Sequence, residues 1–269
     1  RITSAQVVAA LGLAGSGTVI SLSQVLRADS PQQPGRGFSM DMNLARLPHP
    51  GDADTILSSV EETIHVATHS GTHLDGLAHT GIGNRAFNGH DYSAIATPDG
   101  LIALGIEHVG PVITRGVFLD VAAPRDGLGK GDVVSAEDLA ECAKAAAVEI
   151  ADGDAVIVNT GWGALWDKEP DAYTDGEPGI GVEAARWLTE RGACLIGADN
   201  WGVEAVPMAN PEEDYPVHQH CLTECGCYLL ENVRTTRLAA IGATTFCFML
   251  APLAIAGASS SLVTPVAIV

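Results

Sequence analysis

Basic residues are scarce in this chain: 14 Lys and Arg stand against 33 Asp and Glu, a net charge of −19 with neutral histidines. Such a surface repels phosphate backbones and anionic lipid, which excludes nucleic-acid and membrane-surface partners. A small-molecule substrate remains, and an anionic one would need a metal or a local arginine to receive it. A disulfide framework is also missing. The six cysteines (Cys142, Cys194, Cys221, Cys225, Cys227 and Cys247) lack the spacing of a small secreted scaffold, and 269 residues do not need one. They read as small buried thiols in a reducing cytoplasm, with Cys221, Cys225 and Cys227 as a weaker soft-metal alternative. No signal peptide is visible, although the chain opens on Arg1 rather than Met, which leaves a removed leader open. There is no internal repeat and no linker rich in Pro or Ser, so residues 1–269 are expected to form one domain. The glycines of 12–17 follow a helical stretch rather than a strand, which argues against a dinucleotide fingerprint.

What is present is apolar residue in bulk, 46% against 17% charged, enough for a well-buried globular core. One run, Leu238 to Ala258, carries no charge across 21 residues and is long enough to cross a bilayer. Gly242, Thr244, Thr245 and Pro252 interrupt it, and no basic cluster orients it, so buried strands are expected there. Helices are expected from Ser4, acting as N-cap, to Gly12 or Gly15, and from an N-cap at Ser135 with Asp138 at the capping-box position. A third runs through "GVEAARWLTERG" and stops at Gly192. Strands are expected in "GTVISLSQVL", "TIHVATH", "GVFLDVA", "DAVIVNTG", "ACLIGAD" and "GCYLLENV", and Pro31 to Arg46 reads as a long loop. Alternating elements with an excess of strands predict a mixed α/β fold.

The densest chemistry lies in "HSGTHLDGLAH", where His69, His73, Asp75 and His79 fall within eleven residues. Ser70, Gly71 and Thr72 separate the first two histidines, and no Glu stands where a zincin helix would need one. A tight turn on Gly71 fits better, leaving His69 at a strand end and returning His73. Asp75 then shares the side of His73 if the chain is extended. Two imidazoles and a carboxylate suit zinc or manganese and leave open positions for water and substrate. Water bound there can reach a pKa of about 7. His79 is placed to move the proton that attack releases. Such a shell needs completion from elsewhere. His218, Gln219 or His220, with Glu231 at the end of the next strand, are the best remaining donors.

These residues resemble the HxGTHxDxPxH signature of the metal-dependent cyclase-like hydrolases, which include bacterial kynurenine formamidase, isatin hydrolase and trans-dienelactone hydrolase. The match holds at His69, Gly71, Thr72, His73, Asp75 and His79, and departs at Leu77, where the signature has proline. Further blocks follow the family order, among them "TRGVFLDVA", "VIVNTGWG", "GADNWGVE" and "VHQHCLTECGCYLLENV". The resemblance implies a swivelling β/β/α fold, a central barrel-like β structure flanked by helices, in homodimers or tetramers. It implies metal binding by His69, His73 and Asp75, with His79 as general acid/base. In the formamidase branch His218 and Glu231 would hold a second metal; in the isatin hydrolase branch Gln219 would complete the shell.

The expected activity is hydrolysis of an amide or ester in a small cyclic or aromatic substrate, nearest to isatin hydrolase-like enzymes. Mn2+ or Zn2+ is the expected cofactor, with metal-bound hydroxide attacking, His79 moving the proton and Glu231 counted beside it as catalytic. Trp162, Trp166 and Trp201 are candidates for stacking on a flat ring, and Phe38 and Met40 for lining the pocket. A cyclase or dehydratase using the same metal site, and a non-catalytic metal- or ligand-binding protein, are the competing readings.

Overall fold

The computed structural model describes residues 2–47, 51–53, 57–125 and 127–269. Eleven strands carry the argument: β1 (Val19–Ser21), β2 (Phe38–Arg46), β3 (Ser59–Val66), β4 (His73–Asp75), β5 (Val112–Asp120), β6 (Ala155–Asn159), β7 (Leu195–Ala198), β8 (Tyr228–Glu231), β9 (Thr245–Leu250), β10 (Ser260–Leu262) and β11 (Val266–Ile268). Nine of them form one curled half-barrel sheet in the order β1-β11-β9-β5-β6-β7-β8-β4-β10, and β2 and β3 pair only with each other. The central run β5-β6-β7-β8 is parallel, and the pairs that flank it are antiparallel. Mixed α/β architecture around a barrel-like sheet is therefore what the chain adopts.

Three helices fix the faces of this sheet: α1 (Ser4–Leu11), α2 (Ala136–Ala145) and α3 (Val182–Thr189). Alternation along each strand splits the core in two. Val117, Leu119, Val156, Val158 and Ile196 meet Leu139 of α2 and Leu188 of α3. Phe118, Ile157, Leu195, Leu230, Phe246 and Phe248 fill the other side. Every residue of β6 is buried, as a parallel strand covered on both faces requires. Ser135 caps α2 in a capping box with Asp138, as its sequence predicts. For α1 the N-cap is Thr3 rather than Ser4, because Gln6 sits three residues on and closes a reciprocal pair with it.

Two segments depart from expectation. Pro31–Arg46 is a loop only in its first half; Phe38 onward is β2. The alternation of Phe38, Met40 and Met42 against Ser39, Asp41 and Asn43 is what a two-sided strand needs. Its ladder pairs Phe38 with Val66 and Met40 with Ile64 on one face, and Ser39 with His65 and Asp41 with Thr63 on the other. "TIHVATH" is thus part of an exposed ribbon rather than of the core sheet, with Met40 51% and Ile64 56% exposed. The uncharged run 238–258 gives one core strand, β9, preceded by the short helix Thr236–Ala240 and followed by mostly exposed irregular chain to Pro252 and beyond. Gly242 and Pro252 divide it. No helix among the described residues is long and apolar enough to cross a membrane.

Candidate metal centre

β4 lies between β8 and β10, and its register places His73 opposite Glu231 and Leu262, and Asp75 opposite Leu229 and Ser260. Cross-strand partners share a face, so His73, Asp75 and Glu231 point together while Leu74 enters the core. The turn before β4 depends on Gly71, at φ 58°, a left-handed conformation that glycine adopts freely. Gly76, just after it, passes so close to the sheet that a Cβ would lie 2.8 Å from the Ser259 carbonyl oxygen. Thr72 ties this turn to the end of β8. Its hydroxyl donates to the Asn232 carbonyl at 2.7 Å and accepts from the Gln24 amide at 2.8 Å. Asn232 in turn donates to the Gly71 carbonyl at 2.8 Å and accepts from the Tyr173 hydroxyl at 2.7 Å.

The donor atoms converge. His69 Nδ1 lies 2.9 Å and His73 Nε2 3.6 Å from Asp75 Oδ1. His218 Nε2 lies 3.7 Å and His79 Nε2 4.0 Å from Asp75 Oδ2. Glu231 closes the ring, 3.1 Å from His73 Nε2 and 3.2 Å from His218 Nε2. Two groups have the spacing of a cation site, His69–His73–Asp75 and Asp75–His79–His218, each with its ligand atoms within 4.8 Å of one another. Asp75 belongs to both.

Surrounding groups fix which ring nitrogens face inward. His73 Nδ1 sits 2.8 Å from the Gly71 carbonyl, which can only accept, so this nitrogen carries a proton and Nε2 turns to the carboxylates. His218 Nδ1 sits 2.6 Å from Glu204 Oε1, and Glu204 also accepts the backbone N–H groups of Val217 and His218. His69 Nε2 meets the Ser259 hydroxyl at 3.2 Å, leaving Nδ1 for Asp75. Yet His69 Nδ1, His73 Nε2 and both oxygens of Asp75 are buried without a properly directed hydrogen bond. Short contacts without hydrogen-bond geometry among N and O donors are what a set aimed at a shared cation would show. The residues present fit a divalent ion.

Charge in the cluster follows from burial and contacts. Burial alone would lower His73, but the charge of Glu231, its hydrogen bond and the charge of Asp75 outweigh that and raise it. His218 is raised well above its ordinary value, as contacts with Asp75, Glu204 and Glu231 overcome its burial. Burial would raise Asp75, and the surrounding imidazoles, His79 first, hold it well below the carboxylate range. His79 differs: burial pushes it down to about 4, with the charge of Asp75 only partly opposing. It is neutral at neutral pH, and its side chain keeps 25% exposure, against 15% for His69 and 5% or less for His73, Asp75, His218 and Glu231.

A cavity of about 300 Å³ opens onto this cluster, walled by Arg36, His79, Trp201, Tyr215, His218 and Glu231. A larger one, about 900 Å³, lies between Asp120, Arg125, Asp138, Cys142 and Gly242, and no member of either cation-type group lines it. The chemistry places the site at the smaller. The structure thus brings together His69, His73, Asp75, His79, His218 and Glu231. Gln219 is half-buried on the cavity wall, with its amide nitrogen donated to the Asp214 carbonyl at 2.8 Å. His220 turns to Thr189 Oγ1 at 2.9 Å and Glu224 Oε2 at 2.7 Å. Trp201 lines the cavity. Trp162 does not; its indole N–H donates to the Tyr173 carbonyl at 3.0 Å. Trp166 packs edge-on against Tyr173 in the interior. Phe38 sits half-buried at the base of the ribbon, and Met40 is exposed on it, neither on the cavity wall. All six cysteines are free thiols, and none belongs to a cation-type cluster among the described residues. Glu204, Ser259 and Arg36 touch His218 or His69, contacts that spacing along the chain does not signal.

The family model Cyclase, described as "Putative cyclase", matches residues 20–205, and the chain belongs to this family. A solved structure described as a novel cyclase shares 26% identity at a TM-score of 0.90, covering 100% of this chain and 92% of its own. Isatin hydrolase A from Ralstonia solanacearum shares 22% identity at a TM-score of 0.70, covering 99% and 97%. A structure described as a potential metal-dependent hydrolase with cyclase activity shares 17% identity at a TM-score of 0.59, covering 93% and 98%. No curated protein matches the sequence.

Proposed function

We propose that this chain is a metal-dependent hydrolase that cleaves an amide or ester in a small cyclic or aromatic substrate. One observation carries the reading: four imidazoles and two carboxylates meet at one buried cluster, and His79, whose imidazole burial keeps neutral, faces the cavity. A storage site needs no such group. Nitrogen and oxygen donors in this mixture suit Mn2+ or Zn2+, and either ion would supply Lewis-acid polarisation of a carbonyl and an acidified water. The likeness to an isatin hydrolase and to a metal-dependent hydrolase supports the same class.

The chain's own residues then divide the work. His69, His73, Asp75 and His218 would hold the ion, with Gly71, Ser259 and Glu204 fixing the rings. Glu231 stands between His73 and His218 as the second acid of the centre. His79 accepts a proton at Nε2 and returns it to the leaving nitrogen or oxygen. Trp201 forms the flat wall beside it. Metal analysis of purified protein, with turnover assayed on isatin, N-formylkynurenine and unsaturated lactones, tests the reading. His73→Ala should lose metal; His79→Ala should keep metal and lose about 10²–10⁴ in rate. Wild-type rates in His79→Ala, or full activity without metal, would end it.

The ribbon of β2 and β3 supports a homo-oligomer. An isolated two-stranded hairpin is marginal in water, and on the face of Phe38, Met40, Ile64 and Val66 the middle residues Met40 and Ile64 stay exposed. Another copy laying the same face on it supplies their cover. The free thiols support a cytoplasmic location.

A further inference from the structure

Beside the metal cluster lies a second, smaller recess of about 20 Å³ of free space, lined by Gln32, Gln33, Arg36, Ser70, Trp201 and Asn232 among others. Arg36 and Trp201 line both this recess and the 300 Å³ cavity, so the two adjoin along those side chains. The recess concentrates unmet hydrogen-bonding capacity. Gln33 Nε2, Trp201 Nε1, Ser70 Oγ and Gln32 Oε1 are all buried with no partner. Three of these four can donate. A buried donor left unpaired is costly, so three of them among the residues of one recess call for a partner that accepts.

Arg36 gives the recess its charge. It is the one cationic side chain among the residues lining either space, histidines aside. One guanidinium nitrogen, Nη1, donates to the His69 carbonyl at 2.8 Å, which holds the side chain against the metal loop. Among the described residues no carboxylate pairs with it, unlike Arg27, Arg85, Arg115, Arg125 and Arg186. Arg191, Arg234 and Arg237 also lack a carboxylate partner among the described residues, but none of them lines either space.

We propose that Arg36, Gln33 and Trp201 form a subsite for a carboxylate on the substrate, so that this enzyme acts on an acid-bearing amide or ester rather than a neutral one. A planar guanidinium fork with two further N–H donors matches a carboxylate's two oxygens. Phosphate fits less well. The free space is small, and a dianion would be repelled more strongly than a monoanion by Asp214 and Glu231 on the wall of the adjoining cavity. The reacting carbonyl would then lie toward His79 and the acid group toward Arg36. This assignment rests on the hydrolase reading for the identity of the molecule, but its test does not need turnover.

Binding of benzoate and of benzamide to the metal-loaded protein, followed by calorimetry, separates the charged from the neutral probe. Arg36→Met should weaken benzoate at least 10-fold, leave benzamide within 2-fold and leave metal content unchanged. Gln33→Leu, which does not touch the His69 carbonyl, should weaken benzoate by a smaller factor in the same direction, and Arg36→Lys should recover part of the loss. Benzoate binding that is equal in wild type, Arg36→Met and Gln33→Leu would overturn the proposal, since the metal alone would then hold the anion and water would fill the recess. Loss of benzamide binding in parallel with benzoate would overturn it too, as a general collapse of the pocket. Discrimination by Arg36 in a protein that hydrolyses none of the substrates tested would leave the subsite standing and remove the hydrolase reading.

Discussion

Thr72→Val leaves every donor of the metal centre in place and should still cost the protein both stability and metal. The two side chains have nearly the same shape, so the packing of a residue only 3% exposed is kept. What goes is the hydroxyl that accepts from Gln24 and donates to Asn232. Two backbone groups, an N–H and a C=O, are then buried without partners, at about 1–3 kcal/mol each. Valine's extra methyl offsets a little, leaving roughly 2–4 kcal/mol, or about 5–15 °C in Tm for a chain of this size. Asn232 also anchors the Gly71 carbonyl that orients His73, so slack at Thr72 passes to the ring that faces Glu231. Thermal unfolding with and without added Zn2+, together with metal titration, reads both effects. A variant within about 0.5 kcal/mol of wild type with unchanged metal affinity would refute the argument.

Metal removal by a chelator should lower Tm, because an ion present at 100 times its Kd adds about 2.7 kcal/mol to the folded state; an unchanged Tm would remove the cation from the site. In metal-free protein the His79 imidazole should titrate near 4 by NMR rather than at 6.5, and a midpoint at 6.5 would contradict its burial. Because that value is depressed, the stability it confers is complete above about pH 6.5 and lost as pH falls toward 4; His218, raised, contributes the opposite way, complete below 6.5 and lost as pH rises through its folded value. Ile64→Asp on the ribbon should shift the protein to monomer in sedimentation experiments, whereas Thr63→Asp on its polar face should not; no difference between them would remove the ribbon from the interface.

The parts of the site that lie close in sequence were legible as such. His69, His73, Asp75 and His79 share one window because a single turn and one short strand present them. Glu231 was readable from its position at the end of a strand, and His218 as one of three neighbouring donors. Glu204 and Ser259 were not, since they reach the cluster from other loops and no spacing ties them to it. Arg36 stood among prolines and glycines that concealed both its role and the strand that follows. The period-2 pattern of β2 was present in the letters, yet a strand with no place in the core sheet does not announce its partner. Tryptophans told least: indole area can serve a wall, as in Trp201, or the interior, as in Trp166.

Asp75 turns its two oxygens toward different company, Oδ1 to His69 and His73, Oδ2 to His79 and His218. One buried carboxylate therefore joins the three imidazoles that, in the proposed function, would hold the ion to the one that would move the proton. Whatever draws on one oxygen alters the basicity felt through the other, so on the proposed reading a substitution at Asp75 would change ion affinity and proton transfer together.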